Sequence, residues 1–367
     1  MMIDKKKVVV GMSGGVDSTA AAYLLKQQGY DVIGVTMKLW EPDDPDYVEK
    51  EGGCCSLSSI NDARRVAEKI GIPFYVVNFR EVFKKTVIDY FIEDYQAGRT
   101  PNPCIACNKY VKFDALIKKA HELGAYYVAT GHYAKVVYNE NTDRYLVKKS
   151  EEMRKDQTYA IYNLTQEQLK HVLMPLGEFH SKEEVRDIAS AFDATVGGKG
   201  DSQEICFIPD DNYSRFLNEN ISEPIPKGNF VDLSGKVIGK HEGIIHYTVG
   251  QRKGLNLAMG HPAYVTQIRA DVNEIVIGKN DDVFSTGLIA DQLNFMPFDT
   301  LEAPMEVYAK IRYSAPLAKA IITPIAGGQV QVMFPEQKVR AVTPGQAVVF
   351  YDGDYMIGGG TIVSAIK

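Results

Sequence analysis

The sequence predicts an α/β protein: a doubly wound parallel sheet, then a small β-rich central domain and a C-terminal antiparallel β-barrel. Three observations carry this expectation. Short β-branched runs alternate with helical stretches through the first third of the chain, the pattern of parallel βαβ units. A glycine-rich turn, Ser13-Gly14-Gly15, follows the first apolar run and opens an Ala/Leu-rich helix. Beyond residue 208 the chain breaks into short runs between turns, and beyond 281 it is all strand-like, as in a small barrel. A length of 367 residues suggests two to three domains. They are placed at 1–208, 209–280 and 281–367.

Taken in order, Val8-Val9-Val10 reads as a short buried strand. The helix after the turn presents unpaired N–H groups and a positive dipole end, a phosphate cradle. Two glycines let the backbone approach an anion, and Ser13, Ser18 and Thr19 add hydroxyl donors. Asp17 suits such a site only with Mg²⁺ between it and the phosphate. The candidate loop is therefore Gly11, Met12, Ser13, Gly14, Gly15, Val16, Asp17 and Ser18. No Lys-Ser/Thr follows the second glycine, so it is not the kinase-type loop. A helix over 19–28 ends at Gly29, a natural left-handed cap. A strand follows over 31–37, and 41–58 is an irregular candidate lid. A helix over 59–70 leads to a strand over 73–78. Helices over 81–97 and 109–123 precede a strand over 125–130. Ligands of such sheets sit at the carboxyl ends of the strands, which puts Met37 and Gly131-His132 beside the loop. In the last third, Ala326-Gly327-Gly328-Gln329 and Asp352-Gly353-Asp354 each join two strand-like runs as hairpins.

Hydrophobic residues make up 45% of the chain and the net charge is −6. The chain can build real cores, and no global basic field marks a polyanion partner. A local basic run, Lys148, Lys149, Arg154 and Lys155, remains a candidate phosphate-contacting patch. No apolar run precedes the first strand and none approaches membrane-spanning length, so neither a signal peptide nor a membrane partner is expected. The 5 cysteines are odd in number and include the adjacent pair Cys54-Cys55, which fits a cytoplasmic protein with reduced thiols. Cys104-Ile-Ala-Cys107 invites a zinc reading, but Cys54-Cys55 is a poor second pair, and no bound metal ion is expected there. A helix starting near Asn108 would put Cys107 at its N-terminal end, where the dipole favours thiolate. Cys206 lies in a separate loop, and Cys54 and Cys55 read as small buried apolar side chains.

Ser-Gly-Gly-x-Asp-Ser after a strand resembles the pyrophosphate loop of ATP pyrophosphatases. Thr100-Pro101-Asn102-Pro103-Cys104-Ile105-Ala106-Cys107, Ala129-Thr130-Gly131-His132-Tyr133, Lys155-Asp156-Gln157-Thr158-Tyr159 and Asp201-Ser202-Gln203-Glu204-Ile205-Cys206 extend the likeness. So do Thr248-Val249-Gly250-Gln251-Arg252-Lys253-Gly254 and Thr343-Pro344-Gly345-Gln346. Over nearly its whole length the chain resembles the tRNA-specific 2-thiouridylase family. The resemblance implies ATP with Mg²⁺, adenylation of the C2 oxygen of the wobble uridine, and sulfur transfer from a cysteine persulfide. By motif position Cys206 carries the persulfide and Cys107 is its partner thiol, the cycle leaving a Cys107–Cys206 disulfide. Asn102, Pro103 and Cys104 are expected to line the target base, which must leave its stack. Met37 and Gly131 line the adenosine side. Lys155, Asp156, Gln157, Arg312 and Tyr313 contact tRNA. The implied partners are tRNA and a persulfide donor protein, and the chain is expected to be a monomer.

Some members of the family carry Asp where this chain has Cys104. That departure leaves open an iron–sulfur cluster on Cys104, Cys107 and Cys206, with one iron free to bind sulfide. An amidating ATP pyrophosphatase, which needs no cysteine pair, and a non-catalytic RNA-binding protein with a decayed loop also stay open. His132 is given no role, since a loop histidine beside a nucleotide serves equally as a hydrogen-bond partner.

Overall fold

The computed structural model describes residues 3–40, 57–200, 205–208 and 210–367. Cys54, Cys55, most of the expected 41–58 lid and residues 201–204 lie outside the described residues. The chain divides into two compact units. One holds Met1–Val87, Cys104–Asp211 and Gly353–Met356; the other holds Ile88–Pro103, Asn212–Asp352 and Ile357–Lys367.

The first unit is built on a parallel sheet. Its elements are β1 (Asp4–Gly11), α1 (Val16–Gln27), β2 (Asp31–Lys38), α2 (Leu57–Ile70), β3 (Phe74–Asn78), β4 (Ala125–Ala129), β5 (Lys135–Asn139), β6 (Arg144–Lys148) and β7 (Val172–Leu173). The strand order is β3-β2-β1-β4-β7, with Val8 opposite Val32 on one side and Tyr127 on the other. β1 is central, which is why Val8, Val9 and Val10 read as an unbroken apolar run: both sheet faces are covered and all three are fully buried. Ala21, Ala22 and Leu25 of α1 pack with Val8, Val10 and α2. Val16 and Ala20 pack with Tyr133 and with Val185 of the helix Lys182–Phe192. The small residues of α1 let it lie close to both neighbours. Gly29, Gly71 and Gly124 end their helices with φ of 87°, 76° and 75°, a conformation that costs glycine nothing. β5 and β6 form an antiparallel hairpin, and Tyr355 and Met356 pair with Lys148 and Val147 of β6.

Two helices depart from expectation. The one placed over 109–123 begins at Pro103, whose fixed φ suits a first helical position. It runs as Pro103–Cys107, a π segment Asn108–Ala115 and Leu116–Glu122. The one over 81–97 begins at Arg80 and passes a π segment, Lys84–Ile88, before Asp89–Gln96. β7 was not expected: it has two residues, too short for a periodic signal.

The second unit contains a four-stranded sheet and a closed barrel. The sheet has the order β10-β11-β8-β9, from β8 (Gly228–Val231), β9 (Val237–His241), β10 (Tyr264–Arg269) and β11 (Glu274–Gly278). After the short pair β12 (Phe284–Ser285) and β17 (Val339–Arg340) come the barrel strands β13 (Gly287–Phe295), β14 (Met305–Lys310), β15 (Ala318–Ile325), β16 (Gln329–Met333), β18 (Ala347–Asp352) and β19 (Tyr355–Ile366). Their order is β13-β16-β15-β14-β18-β19, and β19 pairs back to β13, closing the barrel. The expected turns are there: Gly327 and Gly328, both at positive φ, link β15 to β16. Inward residues such as Leu288, Val307, Ala320, Val332, Val348 and Phe350 fill the interior, as a barrel of this size requires.

Candidate active site

The loop after β1 is held from several directions. The Met12 amide donates to the Val35 carbonyl at 2.8 Å, and Thr36 Oγ1 donates to the Met12 carbonyl at 2.6 Å. Gly14 has φ of 70°, and a Cβ there would stand 2.2 Å from the Ser59 carbonyl oxygen. Only glycine satisfies both demands. Gly15 is the extended residue before α1, and its carbonyl accepts from Thr19 Oγ1 at 2.9 Å and Ser18 Oγ at 3.2 Å. The Ser13 amide donates to Ser18 Oγ at 3.2 Å. The residue before α1 is Gly15, which offers no side-chain cap, and the first N–H groups of a helix favour an anion.

Of the eight predicted loop residues, Met12 and Val16 put their side chains into the core, and Ser18 turns back into the loop. Ser13 is exposed, and Gly11, Gly15 and Asp17 are half-buried. Met37 reaches the same end of the sheet: a Cβ on Gly11 would lie 3.5 Å from its Cε. Gly131 abuts the start of α1, where a Cβ would meet Asp17 Cβ at 2.7 Å and the Ser18 amide nitrogen at 2.9 Å. Loop, Met37 and Gly131 are thus brought together.

Two lysines that sequence reasoning missed belong here. Lys182, only 7% exposed, ion-pairs with Asp17. Tyr133 Oη donates to the same Asp17 oxygen at 2.9 Å, and Lys182 Nζ stands 5.5 Å from the Tyr133 ring centre, within cation–π range. Lys199 Nζ donates to the Gly14 carbonyl at 2.9 Å and ion-pairs with Asp62. The only sequence signal for Lys182 is its place after Ser181, whose hydroxyl caps that helix. His132 is buried, with Nδ1 2.7 Å from Thr130 Oγ1. Burial, aided by the nearby Lys112 charge, holds its pKa well below the ordinary histidine value, so it is neutral at pH 7.

The cysteine geometry corrects one expectation. Because the helix starts at Pro103, Cys104 occupies the first turn, and Cys107 lies inside the helical run with φ −60° and ψ −44°. The N-terminal dipole argument made for Cys107 therefore does not apply to it. Cys107 is buried, while Cys104 and Cys206 are exposed. Beside Cys107, the Asn108 side-chain Nδ2 donates to the Ala160 carbonyl at 2.9 Å. Next to Cys206, Phe207 packs edge-on against Phe83 with centres 5.7 Å apart. Among the described residues no three His, Cys, Asp or Glu side chains are grouped so as to share a metal ion.

Several expected RNA contacts are engaged within the protein. Asp156 accepts from the Ser150 amide at 3.1 Å and from Thr158 Oγ1 at 2.6 Å. Gln157 exchanges two bonds with the Tyr133 backbone, its Oε1 accepting at 3.1 Å and its amide donating at 2.9 Å. Lys155 is half-buried and Arg154 exposed. Lys148 lies over the Tyr355 ring at 5.0 Å, and Lys149 donates to the Gly353 carbonyl at 2.8 Å. In the second unit Asn102 is half-buried and Pro103 buried. Arg312 donates to the Val249 and Ala341 carbonyls, each at 3.0 Å, and to Thr343 Oγ1. Tyr313 is 47% exposed.

Comparison with known proteins agrees with this architecture. Residues 6–210 match the tRNA methyl transferase HUP domain family, 214–279 the tRNA methyl transferase PRC-barrel domain, and 285–362 the aminomethyltransferase beta-barrel domain. The tRNA-specific 2-thiouridylase MnmA of Clostridium perfringens is 59% identical over 362 residues, covering 99% of each chain. That of Clostridium acetobutylicum is 59% identical over 357 residues, 97% of this chain and 99% of that protein. A solved U34-tRNA thiolase from Methanococcus maripaludis aligns with TM-score 0.30 and 17% identity, over 60% of this chain and 75% of that one.

Proposed function

Because the chain belongs to the tRNA-specific 2-thiouridylase family and is an ATP-using tRNA-uridine sulfurtransferase, we propose that it replaces the C2 oxygen of the wobble uridine with sulfur through an adenylated intermediate. The uracil oxygen attacks the α-phosphorus of ATP, the bond to the bridging oxygen breaks, and N3 gives up its proton. The departing pyrophosphate is received by the uncapped N–H groups of α1, with Ser13 beside them. Met37 and Gly131 flank the adenosine. Asp17 is the loop carboxylate that would hold Mg²⁺, which supplies charge neutralisation to the pyrophosphate when bound. Lys182, seated on Asp17, is within the same site as a second cation for the leaving group.

Asn102, Pro103 and Cys104 line the flipped base. The terminal sulfur of a Cys206 persulfide attacks C2, and AMP leaves with the C–O electron pair. Cys107 thiolate then attacks Cys206 Sγ, and the S–S bond breaks toward the sulfur on C2. N3 is reprotonated, 2-thiouridine is released and a Cys107–Cys206 disulfide remains. A thiol reductant reopens it, and a persulfide donor protein reloads Cys206. Lys155, Asp156, Gln157 and Tyr313 are assigned to tRNA contact, and Arg312, expected beside them, holds the Val249 and Ala341 carbonyls and Thr343 Oγ1 next to Tyr313. In this reading 1–208 is the ATP pyrophosphatase domain, 209–280 the linking domain and 281–367 the tRNA-contacting barrel, in a cytoplasmic monomer. Among the described residues no helix is long and apolar enough to cross a membrane.

The observation that supports this best is the uncapped start of α1 with Asp17 set between Lys182 and Tyr133 at the carboxyl end of the sheet. The persulfide reading rests on the motif positions of Cys107 and Cys206, and Cys104 takes no part in its sulfur transfer. The test is mass spectrometry of tRNA nucleosides after incubation with ATP, Mg²⁺ and a persulfide source. Cys107→Ser and Cys206→Ser are expected to lose 2-thiouridine, while iron-free Cys104→Ser keeps substantial activity. Activity that appears only after reconstitution with iron and sulfide would overturn the mechanism.

A further inference from the structure

The segment Thr100-Pro101-Asn102-Pro103 has a backbone problem. Two of its residues are prolines and donate no hydrogen bond, so it cannot join a sheet, and its remaining groups must be satisfied by other means. Within the second unit, the turn that follows Thr343 does this. Gln346 Nε2 donates to the Thr100 carbonyl at 2.9 Å and to the Pro101 carbonyl at 3.1 Å. The Thr100 amide donates to the Pro344 carbonyl at 2.8 Å, and Thr100 Oγ1 donates to Thr248 Oγ1 at 3.2 Å. Gly345, at φ 89°, lies so close that a Cβ would stand 3.0 Å from Arg99 Cβ and from both the amide and carbonyl of Thr100.

The turn is itself fastened by Arg312. Nη2 of Arg312 reaches the carbonyl of Ala341, a non-glycine residue at φ 57°, together with Thr343 Oγ1 and the Val249 carbonyl. Val249 adjoins Thr248, the partner of Thr100. The Nη2 group is committed to three protein acceptors, which ties the guanidinium to the protein backbone.

We infer that Arg312 and Gln346 are positioning residues: Arg312 fastens the 341–343 and 248–249 backbones, and Gln346 fastens the segment that presents Asn102. The inference rests on the reading of Asn102 as a base-pocket residue. The two side chains act on the thiolation rate through protein backbone, whereas Tyr313 keeps its exposed face for RNA. Misplacing a substrate-positioning segment by about 1 Å costs on the order of 100-fold in rate, while releasing one phosphate changes the salt slope of tRNA binding by about 0.7–0.9.

Arg312→Lys and Gln346→Glu separate these outcomes. Lysine keeps the charge and can still pair with a phosphate, but its shorter stem ends before the position of Nη2 and loses the planar anchoring of the guanidinium; glutamate keeps size but loses both donors. Both variants are expected to bind unmodified tRNA with an unchanged salt slope and a Kd within twofold of the parent. Both should lower single-turnover 2-thiouridine formation by tenfold or more, with the fall in kcat rather than KM. Gln346→Glu should also speed hydrogen exchange at the Thr100 amide. Gln346 is half-buried and uncharged, so this variant carries the test if Arg312→Lys does not fold. Parent-like thiolation in Gln346→Glu, or a reduced salt slope in Arg312→Ala with Arg312→Lys unaffected, would overturn the inference. Asn102→Ala, tested alongside, reads the pocket assignment by itself. If it is fully active while the Thr100 exchange result holds, the fastening stands and the pocket reading fails.

Discussion

Lys182→Met removes one charge and little else. Methionine keeps the apolar stem that packs near Tyr133, so the change isolates the ammonium. In the folded protein that ammonium sits on Asp17, whose side chain is 32% exposed. Breaking a fully buried pair costs about 3–5 kcal/mol. Asp17 keeps the Tyr133 hydroxyl and some water, so the loss here should be smaller, about 1–2 kcal/mol. For a domain of this size that is about 2–8 °C in Tm. The effect on chemistry should be larger. A preorganised donor aimed at developing charge contributes about 100- to 1,000-fold in rate, and Lys182 is a buried cation held on the loop carboxylate Asp17. The assay is single-turnover pyrophosphate release at saturating Mg²⁺ and ATP with tRNA present, run well below the variant's Tm. The expected result is a loss of that size with tRNA affinity unchanged within twofold. If Lys182→Met releases pyrophosphate at the parent rate and shows only the lowered Tm, Lys182 is no more than the counterion of Asp17, and its place in the reaction is refuted.

Asp17→Asn is expected to abolish pyrophosphate release while leaving tRNA affinity intact; release at the parent rate would remove the loop from the mechanism. Reversing charge at Lys148, Lys149 and Arg154 together should weaken tRNA binding and lower its salt slope by about 0.7–0.9 for each phosphate no longer neutralised. A KCl titration of binding with an unchanged slope would move the footprint elsewhere. Asp193 caps the short helix Ala194–Gly197 through the Thr195 and Val196 amides, and ion-pairs with Arg65 at 2.6 Å and Lys69 at 3.3 Å. The Arg65 guanidinium is the main reason its carboxyl is held well below the ordinary aspartate value. A lowered folded-state pKa gives stability that is present above the unfolded value of about 3.9 and is lost as pH falls through the folded one. Asp193→Asn, which keeps the cap, should therefore lower Tm at pH 7, with the gap to the parent closing below about pH 4. A gap that stays constant from pH 7 to pH 3 would contradict this.

The parts of this protein that the sequence determined by itself are those set by local backbone and burial rules. Val8-Val9-Val10 announces a buried strand, and Ser13-Gly14-Gly15 marks a turn whose backbone can approach an anion. Gly29, Gly71 and Gly124 mark helix ends, and the two barrel hairpins follow from their turn residues. The start of the cysteine-bearing helix was misplaced because Pro103 reads as a breaker as easily as a first helical residue, and the π segment at Asn108–Ala115 blurs the 3.6-residue period. What only the tertiary structure decided is the company each polar side chain keeps. Lys182 reaches Asp17 across 165 positions, Gln346 reaches Thr100 across 246, and Arg312, expected as an RNA contact, also holds three protein acceptors. Such pairings arise when separately folded elements are packed together. Close packing, not local propensity, selects which acceptor a buried donor meets, because any donor left unmet inside costs about 1–3 kcal/mol.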